Sequence, residues 1–228
     1  MNDLFFKNCK TDYKKNDCSI VDHERNIVVI KNFFHDPLLA RKFFLSLPKW
    51  ECLDDSYKGG LESFVPSWIV KFLLKDYFHF FGIEPIIGSE ESVINHFYYG
   101  NIKKDHPASH FNENIQPHYD SFPDDCKHYI CLVNLTESIV ETDFWSISGK
   151  DGVNSFEDIE FYNKYIDNCT SINSSVFRKS ILYNFNECII YEGNLFHSPK
   201  VEKHFTKDNL RTIMRLSYSE GRKSFTYI

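Results

Sequence analysis

Apolar positions come first in dense blocks and later in short alternating runs. "NIVVIKNFF" (26–34) is a β-branched run that reads as a strand. "HDPLLARKFFLSL" (35–47) switches to helical spacing, with Asp36 as N-cap and Pro37 at the first helical position. Leu38, Leu39, Phe43, Phe44 and Leu47 form the stripe this helix is expected to bury. "SWIVKFLLKDYFHFFGI" (67–83) predicts a second, longer helix stopped by Gly82. From about residue 89 the pattern becomes that of strands: 92–100, 128–135, 142–147, 187–191 and 210–218, separated by turn residues. A polar, Ser- and Asn-rich stretch at 148–180 is long for a plain loop and suggests a lid, with the aromatic residues of 156–165 read as core packing of a short lid helix and, second, as the lining of a substrate pocket. Helices followed by many short strands, without β–α alternation, predict a mainly β fold with flanking helices, a barrel or sandwich. We read 1–228 as one domain, with an N-terminal strand and supporting helices over 1–88 and a β-rich core over 89–228 carrying the insert at about 148–180.

Composition adds exclusions. The 22 Phe and 13 Tyr supply a large core. The net charge is −6, without a basic stripe, so no duplex nucleic acid is expected as a partner. The seven cysteines are odd in number and contain no C-x-x-C pair, which argues against a zinc ribbon. The first residues lack the apolar core of a signal peptide, and no run of about 18 apolar residues occurs. The expectation is a cytoplasmic protein with reduced thiols and no membrane association.

"IQPHYDSF" (115–122) changes the picture. His118 and Asp120 are one residue apart, so on an extended backbone they point the same way and can grip one metal ion. A third donor is available in "IIYEGNLFHSPKV" (189–201), where a strand, a turn at Glu192–Asn194 and the next strand bring His197 to a sheet edge as if after a hairpin. Two His and one carboxylate with three open positions form the facial triad of non-haem Fe(II) oxygenases. Downstream, Arg211 and Arg215 are four apart, on one face of a strand, and an inward arginine needs an anionic partner such as a bound dicarboxylate.

These elements, in this order, resemble the Fe(II)/2-oxoglutarate-dependent oxygenases, in the branch similar to prolyl 4-hydroxylases and to bacterial and phage members. "NHFYYGN" resembles the family's Tyr-Gly strand, "PHYDSF" its Pro-His-x-Asp segment and "YICLVNLTE" its strand ending in Leu-Asn. "ETDFWS" resembles its Thr-x-Phe strand, "YEGNLFHSPKV" its distal-histidine segment, and "RTIMRLSY" the strand opening on its 2-oxoglutarate arginine. "IVVIKNFFHDPLLAR" is similar to the opening strand and helix of that branch. The family's double glycine before Thr142 is Val140-Glu141 here, and the gap from His197 to Arg211 is longer than usual, which suggests an insertion in "EKHFTKD".

The resemblance implies a double-stranded β-helix (cupin-like jelly roll) with Fe(II) held by His118, Asp120 and His197, 2-oxoglutarate as cosubstrate and O2 as oxidant. Arg211 is the first choice for its far carboxylate and Arg215 the second; Tyr99, or Tyr98, is a further contact, and Asn134 either supports the site or holds a strand-end turn. The implied reaction is hydroxylation of a C–H bond of a small molecule or amino-acid-type substrate, with release of succinate and CO2. His79, His96, His106, His110, His128 and His204 are read as outside the ligand set. The competing readings are a non-catalytic cupin-like metal- or ligand-binding module, and an iron enzyme that does without 2-oxoglutarate.

Overall fold

The computed structural model describes residues 2–48, 50–51, 60–63, 68–86, 96–99, 117–121, 126–168, 176–200 and 211–221. Among these, eleven strands form two antiparallel sheets: β1 (Cys18–Asp22), β2 (Ile27–Ile30), β3 (Trp50–Glu51), β4 (Gly60–Glu62), β5 (His96–Tyr99), β6 (Cys126–Asn134), β7 (Val140–Ile147), β8 (Val176–Tyr183), β9 (Cys188–Glu192), β10 (His197–Lys200) and β11 (Arg211–Gly221). The large sheet runs β1-β2-β9-β6-β11-β5-β4-β3, and the small one runs β10-β7-β8.

The central strands of the large sheet are apolar on both sides because both sides are covered. Cys131, Val133, Cys188, Ile190, Met214 and Leu216 join a core shared with the helices. Their sequence neighbours Ile130, Leu132, Ile189, Tyr191 and Ile213 join a second core, with Val140, Phe144, Ile181 and Tyr183 of the small sheet. The two-residue period of a strand thus sorts alternate side chains into two layers of packing.

The helices are α1 (Asn2–Asn8), α2 (Pro37–Ser46), α3 (Trp68–Leu73), α4 (Lys75–Phe81) and α5 (Phe156–Asn168). Asp36 caps α2 as its position demands, accepting from the Leu39 N–H at 2.9 Å. The buried face of α2 is rotated from the expected stripe: Ala40, Phe44 and Leu47 are buried while Leu38 is 60% exposed. Phe5 of α1 packs edge-on against Phe43 and Phe44, and Phe34 meets Phe44 from the β2 side of the chain, so the buried face follows these aromatic contacts. The apolar stretch 67–83 forms two helices, α3 and α4, interrupted at Leu74, and ends as expected at Gly82 in the left-handed conformation (φ 63°). Part of the 148–180 stretch folds as α5, and its last residues belong to β8. No helix among the described residues is long and apolar enough to cross a membrane.

The turn before His197 does not close a hairpin. β9 belongs to the large sheet and β10 to the small one, so Gly193 and Asn194 carry the chain from one sheet to the other. His197 is therefore delivered at the junction of the two layers.

Candidate metal centre

The backbone builds the centre before any side chain acts. His118 and His197 form an isolated antiparallel bridge, His118 N–H donating to His197 O at 2.9 Å and His197 N–H to His118 O at 2.8 Å. This reciprocal pair brings the imidazole centroids to 4.4 Å. Two residues on, the Asp120 and Ser121 N–H groups both donate to the Gly193 carbonyl, at 2.7 and 3.2 Å. Gly193 is confined there, since a Cβ would lie 3.0 Å from Ser121 Oγ. The sheet-crossing turn therefore positions His197 and Asp120 together.

Ligand atoms of His118, Asp120 and His197 all lie within 4.8 Å of one another. Asp120 Oδ2 is 3.2 Å from His197 Nε2, and Asp120 Oδ1 is 2.9 Å from Arg215 Nη2. His197 Nδ1 is 2.9 Å from the Leu195 carbonyl, which can only accept, so Nδ1 carries the proton. With Nδ1 so committed, Nε2 faces a carboxylate oxygen, an arrangement satisfied by a proton on Nε2 or by a cation between the two atoms. Two donors each about 2.1 Å from one ion, at adjacent positions, stand about 3 Å apart. The observed 3.2 Å fits that spacing, and so does the hard oxygen and imidazole donor set. Burial pushes the Asp120 carboxyl up, but the His197, Arg215 and His118 charges outweigh it and hold Asp120 well below the usual carboxylate range. Tyr191 and Phe144 wall the His197 ring, at centroid distances of 4.8 and 6.4 Å.

Helix α5 braces the motif from outside. Tyr162 donates its hydroxyl to the Pro117 carbonyl at 2.7 Å, stacks on Phe196 at 5.3 Å and meets Tyr119 edge-on at 5.2 Å. Burial pushes the Tyr162 phenol up to about 12.

The remaining candidates separate. Arg215 reaches the centre from β11 through its ion pair with Asp120. Arg211 opens the same strand, and its register partner on β5 is Tyr99, with Tyr98 beside it opposite Thr212. Asn134 is spent on backbone groups: its amide donates to Ser138 O at 2.8 Å and Tyr183 O at 3.3 Å, and its oxygen accepts from the Thr136 N–H. That is the strand-end turn role. His128 meets Ser219 Oγ at 2.7 Å, and His79 is exposed on α4. His106, His110, His204 and the expected insertion at "EKHFTKD" lie outside the described residues. Sequence reasoning missed the role of Gly193, where the Gly in "YEGN" was a visible signal, but for a hairpin; it placed Tyr162 in the packing of a short helix, and nothing local marks it as a neighbour of Pro117.

No protein-family model matches the chain, and no curated protein matches it. Its fold is similar to solved structures of non-haem enzymes dependent on α-ketoglutarate (2-oxoglutarate). The epimerase SnoN from nogalamycin biosynthesis superposes with TM-score 0.53 at 11% identity, over 87% of this chain and 80% of SnoN. The carbocyclase SnoK, also from nogalamycin biosynthesis, superposes with TM-score 0.51 at 10% identity, over 86% of this chain and 80% of SnoK. A structure of SnoN in complex with Fe3+, α-ketoglutarate and nogalamycin RO gives TM-score 0.50 at 11% identity, over 87% of this chain and 80% of that one. At these identities the likeness is one of fold.

Proposed function

We propose that this chain is a non-haem Fe(II)- and 2-oxoglutarate-dependent oxygenase on a double-stranded β-helix, with His118, Asp120 and His197 as the iron ligands. The observation that carries the reading is the convergence of these three side chains within 4.8 Å on a fold similar to that of α-ketoglutarate-dependent enzymes. The reaction proposed is hydroxylation of a C–H bond of a small molecule or amino-acid side chain. Bound iron and 2-oxoglutarate supply the oxidising chemistry, in which O2 is consumed and succinate and CO2 are released.

The chain's own residues do the rest. The His197 Nδ1 proton, committed to Leu195 O, keeps the Nε2 lone pair aimed at the metal. Asp120 supplies the single negative charge among the three ligands. Arg211 is our choice for the far carboxylate of 2-oxoglutarate. Its register partner is Tyr99, and partners on adjacent antiparallel strands share a face of the sheet. Arg215 lies four residues further along β11, about 13 Å by strand rise, and its guanidinium is already engaged at Asp120. A five-carbon dicarboxylate is shorter than that separation, so one arginine serves its far end. Tyr191 and Phe144 keep the His197 side of the site apolar, which limits access of water.

Anaerobic addition of Fe(II) and 2-oxoglutarate tests the reading. A weak visible charge-transfer band is expected in the wild type and is expected to vanish in His118→Ala, Asp120→Ala and His197→Ala, together with succinate release. A binding module gives no band. A band or turnover that survives one of the three substitutions removes that residue from the ligand set.

A further inference from the structure

We propose that Arg215 is a positioning residue for Asp120: by taking one carboxylate oxygen it leaves the metal only the other. The inference rests on the metal-binding reading above. The two oxygens of Asp120 are already divided, Oδ2 facing His197 Nε2 at 3.2 Å and Oδ1 facing Arg215 Nη2 at 2.9 Å. Asp120 itself lies in no strand, so its carboxylate is placed by the contacts of its segment. Arg215 stands on β11 of the large sheet, whereas Asp120 follows the His118 bridge to the small sheet and is tied through its N–H to Gly193 O. Asp120 is thus fixed through its backbone by Gly193 and through its carboxylate by a side chain of β11. The Arg215 and Asp120 side chains are only 26% and 15% exposed, so the pair is shielded from the solvent that weakens surface ion pairs. A guanidinium suits the task because its planar donors fix a direction, which a lysine ammonium does not.

The chemical consequence lies in counting positions. A carboxylate can bind one ion through one oxygen or through both. With two imidazoles and one oxygen, a six-coordinate ion keeps three positions open; with both oxygens it keeps two. A keto acid that chelates fills two, so only the one-oxygen mode leaves a position for O2. Arg215 would thereby preserve the oxygen position without touching cosubstrate or substrate.

Mn(II), a redox-stable stand-in, reads this out without turnover. The longitudinal relaxation of water protons by bound Mn(II) counts the exchangeable waters, after titration fixes the fraction bound. The wild type is expected to hold three waters and Arg215→Gln two, so the enhancement per bound ion falls by about one third. Equal water counts in wild type and variant overturn the proposal. A crystal of the Mn(II)-loaded wild type tests it even if the variant does not fold: Oδ2 on the ion with Oδ1 on Arg215 supports it, and both oxygens on the ion overturn it. Wild type and His118→Ala serve as the reference pair. If they bind Mn(II) alike, the metal reading fails and takes this role with it. If His118→Ala alone loses the ion while water counts stay equal in Arg215→Gln, only the role of Arg215 falls.

Discussion

Single residues differ most in how much of their work a linear pattern reveals. His118 and Asp120 were visible because two residues at strand spacing share a side, and His197 because it opens a strand after a turn. The pairing of Arg215 with Asp120 was not visible: alternation assigns a face but not a depth, so Arg211 and Arg215 looked alike. Their separation gives a test at this scale. Arg211→Ala is expected to raise the 2-oxoglutarate KM by roughly 30- to several-thousand-fold, the equivalent of about 2–5 kcal/mol for a truncated charged pair, with iron affinity little changed. Succinate release at varied 2-oxoglutarate measures it. A KM rise in Arg215→Ala with none in Arg211→Ala would transfer the anchor to Arg215, and no effect at either would argue against 2-oxoglutarate as cosubstrate.

Among the elements, α2 and β11 announced themselves and the aromatic run 156–165 announced a short helix, while β8 did not. α2 carries its own boundary signals, Asp36 and Pro37, whereas its buried face depends on where α1 packs, which no local pattern encodes. α5 is mostly polar, and the stretch before it hides a bridge from Gly152 to Leu195. Its attachment to the motif rests largely on Tyr162, whose hydroxyl meets Pro117 O at 2.7 Å. Tyr162→Phe removes that bond but keeps the stacking on Phe196, so a loss of about 1 kcal/mol in stability is expected. Urea unfolding gives that value. Hydrogen exchange should rise at the His118 amide in the same variant, because the strand segment Pro117–Tyr119 loses its outer brace. Unchanged protection at His118 would mean that α5 merely covers the motif.

At the scale of the molecule, the two sheets are also joined away from the centre. Asp22, the last residue of β1, accepts from the Glu24 and Arg25 N–H groups and pairs with Arg25 at 3.2 Å and with Lys179 of β8 at 2.8 Å. Arg25 continues to Asp151 at 3.1 Å. Burial raises the Asp22 pKa, but Lys179 and Arg25 outweigh it and bring it down to about 2. The folded value lies below the unfolded one near 3.9, so this contribution is whole above about pH 4 and is lost as pH falls through 2. Asp22→Ala should cost about 3 kcal/mol at pH 7, since Arg25 and Lys179 lose a buried partner, and much less at pH 2. Urea midpoints at the two pH values check both parts; an equal loss at both would assign the effect to packing. The pairing of β2 with β9 has a different kind of consequence, one of timing. Ile30 meets Cys188, so about 158 further residues must be made after Ile30 before the pair can form. At 5–20 residues per second, that is about 8–32 s of synthesis. Throughout it the Ile27–Ile30 strand, fully buried in the finished protein, has no β9 to close against. The nascent chain thus carries an open, sticky edge through those seconds, and a helper that shields such edges is expected to raise its yield.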